Sequence, residues 1–134
     1  MKRLLLFVTT LLLLAGSLMT VHQMAIQQGG VLKALKLQTI IGAGKNKQVE
    51  TLFEGPRRKL VQITLRNNAA LDAHKAPEPI TIQCIAGKGI IKAGDPGETL
   101  ELRPGTLLTL EPNVLHEIKA EPELSFLLTR FAER

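Results

Sequence analysis

Two stretches decide how this chain reads: NAALDAHKAPEPITIQCIAGKG, residues 68–89, and GTLLTLEPNVLH, residues 105–116. Between them they hold two of the three histidines, His74 and His116, and the only cysteine, Cys84. Each opens on a residue suited to a turn, Asn68 or Gly105, and each carries proline before an apolar run. Residues two apart in a strand share a face. Ile80, Ile82 and Cys84 therefore lie together, opposite Thr81 and Gln83. Val114, His116 and Ile118 lie together, opposite Glu117 and Lys119.

Outward from these stretches the period stays at two, the mark of strands. Val49, Thr51 and Phe53 alternate with Gln48, Glu50 and Leu52 until Gly55-Pro56 stops the run. Val61, Ile63 and Leu65 oppose Gln62, Thr64 and Arg66. The spacing predicts further strands over 80–85, 89–92, 99–102, 107–110, 114–119 and 124–131. The segment 93–97, AGDPG, is a strong turn signal. Short strands every 8–12 residues, divided by Gly, Pro and Asn, predict an all-β sandwich or barrel. Leu65, Ile82, Leu108 and Leu128 are expected in its core.

The amino end reads differently. Lys2 and Arg3 precede an apolar run from Leu4 to Ala15, and Ala15-Gly16-Ser17 offers a small-x-small cleavage site. This is the pattern of an export signal over 1–17, reaching to about residue 25 if cleavage falls later. The run is shorter than the roughly 20 apolar residues of a membrane span. Residues 4–19 held uncleaved are the alternative, a membrane anchor. Residues 18–47 follow as an amino-terminal arm in which Val31, Leu32, Leu35 and Leu37 suit a short helix or an extended segment. The barrel is expected over 48–134.

Composition narrows the partners. Losing residues 1–17 lowers the formal charge from +5 to +3. The remaining cations are scattered apart from Arg57-Arg58-Lys59, which reads as a solvated turn. There is no Trp or Tyr, and only Phe53, Phe126 and Phe131 lie beyond the leader. Single-strand nucleic-acid binders stack bases on aromatic side chains, so nucleic acid is not an expected partner. One cysteine cannot form an internal disulfide, so an exported chain of about 115 residues must rely on its apolar core. Ser125 stands far from any nucleophile-elbow motif, and no Ser-His-Asp triad is evident.

The paired stretches resemble the two motifs of the cupin family, G-x5-H-x-H-x3,4-E-x6-G and G-x5-P-x-G-x2-H-x3-N. On this chain the first motif places Asn68 in the glycine slot, then His74, Ala76, Ile80 and Gly87. The second places Gly105, Glu111, Asn113, His116 and Ala120. Asparagine in two glycine slots is a mild change, because asparagine tolerates positive φ. The resemblance implies a double-stranded β-helix, the jelly-roll barrel. It implies that Ile80, Ile82, Cys84, Val114, His116 and Ile118 face the lumen. In the family, two histidines and a glutamate of motif one and the histidine of motif two bind a divalent metal. Only His74 and His116 survive here, with Glu78 a third donor if the Pro77-Glu78-Pro79 kink turns it inward. The cofactor implied is one divalent ion (Mn, Fe, Ni or Zn), weakly bound or absent. Cys84 in apolar surroundings reads as a core thiol rather than a nucleophile.

Three functions fit this reading. The first is an exported cupin binding a small molecule in its barrel. The second is a metal-dependent enzyme, an oxygenase or isomerase using His74 and His116. The third is a structural module presenting its surface or a homodimer face. A membrane enters only if the leader stays uncleaved. The mature chain is expected to begin near Leu18 outside the cytoplasm. Intact-mass measurement of native protein checks this: a mass retaining Met1 in the cytosolic fraction would refute it, and one retaining it in the membrane fraction would favour the anchor.

Overall fold

The computed structural model describes residues 32–132. The leader over 1–17 and the first part of the arm lie outside the described residues. Seven strands follow one another: β1 (Lys47–Glu54), β2 (Arg58–Leu65), β3 (Ala70–His74), β4 (Ile80–Gly94), β5 (Gly97–Leu102), β6 (Leu107–Leu110) and β7 (His116–Phe131). The described residues include no helix, so residues 32–37 are arm without regular secondary structure rather than helix.

Two predicted pairs of strands are each one long strand. The runs over 80–85 and 89–92 join as β4, of fifteen residues, and those over 114–119 and 124–131 join as β7, of sixteen. The Ala86-Gly87-Lys88 break that suggested a loop is a pair of bulges, where the β4–β7 register shifts between Cys84 and Ala86 and between Gly87 and Gly89. Bulges bend a strand without ending it. β3 was not foreseen, because five residues containing Ala, Asp and His carry little strand signal.

β4 and β7 pair antiparallel along both halves. The first half of β4 and the second half of β7 are flanked by β6 and β2, with β1 outside β2. The second half of β4 and the first half of β7 are flanked by β5 and β3. The two long strands thus run through both sheets of a jelly roll. At the bend they approach closely. A Cβ on Gly87, whose φ is +73°, would lie 2.2 Å from the Glu123 carbonyl oxygen, and one on Gly89 would lie 2.5 Å from that of Lys119. Only glycine fits there.

Between the sheets, Val61, Ile63 and Leu65 pack with Ile80, Ile82, Cys84, Ile91, Leu102, Ile118, Ala120, Leu124 and Phe126. Leu108 and Leu128 pack on this cluster half-buried. The alternation over β2 holds, but both of its faces are covered: Gln62, Thr64 and Arg66 are buried as well. Arm residues 38–46 lie over that outer face, which the strand pattern alone could not show. Asn67, Asn68 and Asn113 have φ of +54°, +58° and +63°. The two asparagines in glycine slots therefore adopt the left-handed turn conformation those slots require.

Leu65→Ala and Ile82→Ala are expected to lower stability by about 2–5 kcal/mol each, and Leu108→Ala by less, in keeping with its half-burial. Urea denaturation of the three variants checks the order; losses below about 1 kcal/mol at both Leu65 and Ile82 would contradict this packing.

Candidate functional site

β3 runs beside the first half of β7, and its register carries a bulge between Leu71 and His74. The irregularity brings His74 opposite His116. Two backbone bonds set the surrounding loops: Asn113 N–H donates to the Ala76 carbonyl at 2.7 Å, and Gly94 N–H to the Leu115 carbonyl at 2.8 Å. The first ties the second histidine slot of motif one, Ala76, to the turn of motif two. The histidine rings consequently meet, with centroids 4.3 Å apart and planes tilted by 54°.

The environments of the two rings differ. His116 is 4% exposed, whereas His74 is exposed. Each ring has Nδ1 beside a carbonyl two residues back, His74 to Asp72 at 2.8 Å and His116 to Val114 at 2.9 Å. A carbonyl only accepts, so the neutral rings carry hydrogen on Nδ1 and leave the Nε2 lone pairs free. Burial pushes the His116 pKa below its ordinary value; the hydrogen bond to Val114 opposes this, and charge on His74 reinforces it. His116 is therefore favoured as a neutral acceptor, and His74 is the ring exposed to solvent.

The other predicted site residues have distinct places. Ile80, Ile82, Cys84 and Ile118 are buried in the core, and Val114 is half-buried. Ile80 sits in the first half of β4 beside Leu110 and Arg130, so it belongs to the sheet other than that of His116. Cys84 is buried, and desolvation raises its thiol pKa despite a bond to the Ala86 carbonyl. A neutral buried thiol is a poor nucleophile. Glu78 does not turn toward the histidines. Its Oε1 accepts from both Nε and Nη2 of Arg130. Proline on either side fixes its backbone, and the guanidinium supplies the charge partner that the sequence reading left out.

A pocket of about 230 Å³ opens beside His116, lined by Lys92, Asp95, Leu115 and Glu117 together with Ala73, Gly94 and Gly97. Lys92, Asp95 and Glu117 were not singled out in the sequence. Glu117 lies more than 20 residues beyond the other two, and the β4–β7 pairing sets it opposite Lys92.

Could this set hold a metal? Two imidazoles on one tetrahedral ion at about 2.0–2.1 Å would have centroids about 5 Å apart, wider than the 4.3 Å between these rings. Among the described residues, no group of three His, Cys, Asp or Glu side chains gathers around a possible ion. Ile80 occupies the carboxylate slot, and two neutral donors leave a divalent charge uncompensated beside an apolar core. The residues present do not make a complete centre for a tightly held divalent metal.

No protein-family model matches the sequence, and no curated protein matches it. Solved structures do match. A cupin superfamily protein from Desulfitobacterium hafniense superposes with a TM-score of 0.63 at 15% identity, over 69% of this chain and 84% of that one. An RmlC-like cupin with a double-stranded β-helix from Methanocaldococcus jannaschii gives 0.63 at 19%, over 77% and 93%. The barrel has the cupin fold. An RmlC-like cupin from Desulfovibrio desulfuricans agrees, with a TM-score of 0.59 at 20% identity over 72% and 95%. At these identities the likeness carries the fold alone.

A pH dependence follows from His116. Its folded pKa lies below the ordinary 6.5, so within that interval the unfolded chain binds more protons than the folded one. Stability from this group is fully present above 6.5 and declines as pH falls toward the folded value. Urea denaturation at about pH 7.5 and about pH 5 should show less stability at the lower pH, and His116→Gln should reduce the difference. An unchanged difference in the variant would assign the pH effect elsewhere.

Proposed function

We propose that this protein is an exported cupin barrel that binds a small polar molecule at the His74–His116 pair. The observation that carries the reading is the contact between the two rings, each with Nδ1 occupied and Nε2 free. Two adjacent acceptor nitrogens, one buried and one open to solvent, suit a hydroxyl or amine donor. The neighbouring pocket adds a cation, Lys92, and two carboxylates, Asp95 and Glu117, for the other polar groups of the same molecule. Deeper in the barrel the side chains are close-packed and apolar, so the ligand is held at the histidines rather than along the lumen. Export is motivated by the leader over 1–17.

A second reading, a metal-dependent cupin enzyme, is favoured by the two histidines that stand opposite each other at the positions the resemblance assigns to metal ligands. The missing carboxylate weighs against it. In that case the imidazoles would hold the ion, which would supply Lewis-acid or redox chemistry, and ligand or solvent would complete its shell.

Calorimetric titration with manganese, iron(II), nickel and zinc, paired with a thermal-shift screen of small polar metabolites, separates the two readings. Metal binding by the wild type is expected to be weak, and to strengthen in Ile80→Glu and further in Ile80→Glu/Ala76→His if those slots reach the histidines. A metabolite that binds should raise stability by about 2.7 kcal/mol at a hundredfold excess over Kd. The effect should vanish in His74→Ala/His116→Ala. Tight metal binding lost in that double variant would favour the enzyme, and stabilisation that persists in it would move the ligand elsewhere.

A further inference from the structure

The outer face of β2 carries a polar cluster that the histidine site does not use. Gln62 is 2% exposed and donates from Nε2 to Ser125 Oγ at 2.9 Å. Its amide also pairs with the arm in both directions, accepting from Gln38 N–H at 2.9 Å and donating to the Gln38 carbonyl at 2.7 Å. Thr64 lies 3.1 Å from the same serine hydroxyl. Arg66 completes the row. It is 7% exposed, with Nε donating to the Gly42 carbonyl and Nη1 to that of Lys45, both at 2.7 Å.

Arg66 is unusual in its charge balance. A guanidinium has five N–H donors and stays charged at any physiological pH. Two donors are used, and both acceptors are neutral carbonyls. Among the described residues no carboxylate lies within ion-pair distance of it; the ion pairs present use Lys59, Lys88, Arg103 and Arg130. A buried cation without a counter-charge is costly. Nη2 has no partner and is not sealed away, since among the described residues no buried side-chain polar atom lacks one. Arg66 lines a pocket of about 260 Å³ between the arm and the sheet.

The pocket wall defines the rest of the ligand. Gln48, Gln62 and Thr64 supply neutral polar groups. Ile40 and Ile41 supply an apolar wall, and Ile40 is 84% exposed, an arm side chain with little protein cover. Glu50 also lines the pocket, opposite Gln62 in the ladder. One cation offset by a nearby carboxylate suits a single negative charge and disfavours a dianion.

We infer that the pocket under the arm is a second binding site, taking a small aliphatic monocarboxylate. Its carboxylate pairs with the free edge of Arg66, and its short alkyl chain covers Ile40. A carboxylate is the planar two-oxygen acceptor that a guanidinium edge matches best. The site stands apart from the histidine pair, since it lies on the outer face of β2 whereas His116 faces inward from the sheet that lacks β2.

Amide chemical-shift mapping with sodium butyrate and sodium hexanoate, against sodium phosphate and sodium chloride at equal ionic strength, tests this. Saturable shifts confined to residues 38–50 and 62–66 are expected with the carboxylates, tighter for hexanoate, and absent with phosphate and chloride. Arg66→Gln should abolish them; because that change also removes two ties to the arm, two milder variants carry the test if it does not fold. Glu50→Gln should tighten hexanoate binding, and Ile40→Asp should weaken it by about tenfold, the scale of losing an apolar contact and placing a like charge beside the carboxylate. Equal shifts with phosphate or chloride, shifts only around His74 and His116, or no effect of Ile40→Asp and Glu50→Gln would each overturn the inference.

Discussion

The structure depends on the joint bend of β4 and β7. Each strand is too long for one sheet of a small barrel, and each passes from one sheet into the other. They do so side by side, so the ladder between them continues through the corner with only its register shifted. Backbone groups that would otherwise be buried without partners at the corner are thereby satisfied. Gly87 and Gly89 let the chains approach closely enough, where any Cβ would strike the carbonyl of the facing strand. The same bend decides what lies in the core, because it turns Ile82 and Cys84 of one half-sheet toward Ile91 and Ile118 of the other.

That corner also makes the site. His116 opens β7, and it is buried because β3 and the second half of β4 lie on either side of it. His74 reaches it only because the short strand β3 bulges at its end. The result is an asymmetric pair: burial keeps His116 neutral, while the ring in contact with it stays in solvent. Ile80, where the resemblance places a carboxylate, instead extends the apolar core, and the nearby Glu78 is neutralised by Arg130. A set that loses its carboxylate loses the charge that balances a divalent ion, and what remains is a pair of imidazoles with Nδ1 on backbone carbonyls.

The arm changes the meaning of β2. In the strand pattern, Gln62, Thr64 and Arg66 are only the face opposite Val61, Ile63 and Leu65. In the fold they are a buried polar row whose partners are mainly backbone groups of residues 38–46. Buried polar groups demand partners, and an irregular segment with its unpaired carbonyls supplies them. Arg66, with Gln62, thus ties down the arm, and among the described residues it is the buried charge beneath it.

The sequence by itself determined the class of fold and most of the strand positions. It did so because alternation at period two is a local property, and because asparagine or glycine at Asn68, Gly105 and Asn113 meets a local φ requirement. The tertiary structure alone decided the rest. Whether 86–88 is a loop or a bulge depends on a partner strand about 35 residues away. Whether Glu78 faces the histidines depends on Arg130, 52 residues on. Whether Gln62, Thr64 and Arg66 meet water depends on an arm that carries no periodic signal. Each of these is settled by a contact distant in sequence, and alternation along one strand contains no information about what covers its other face.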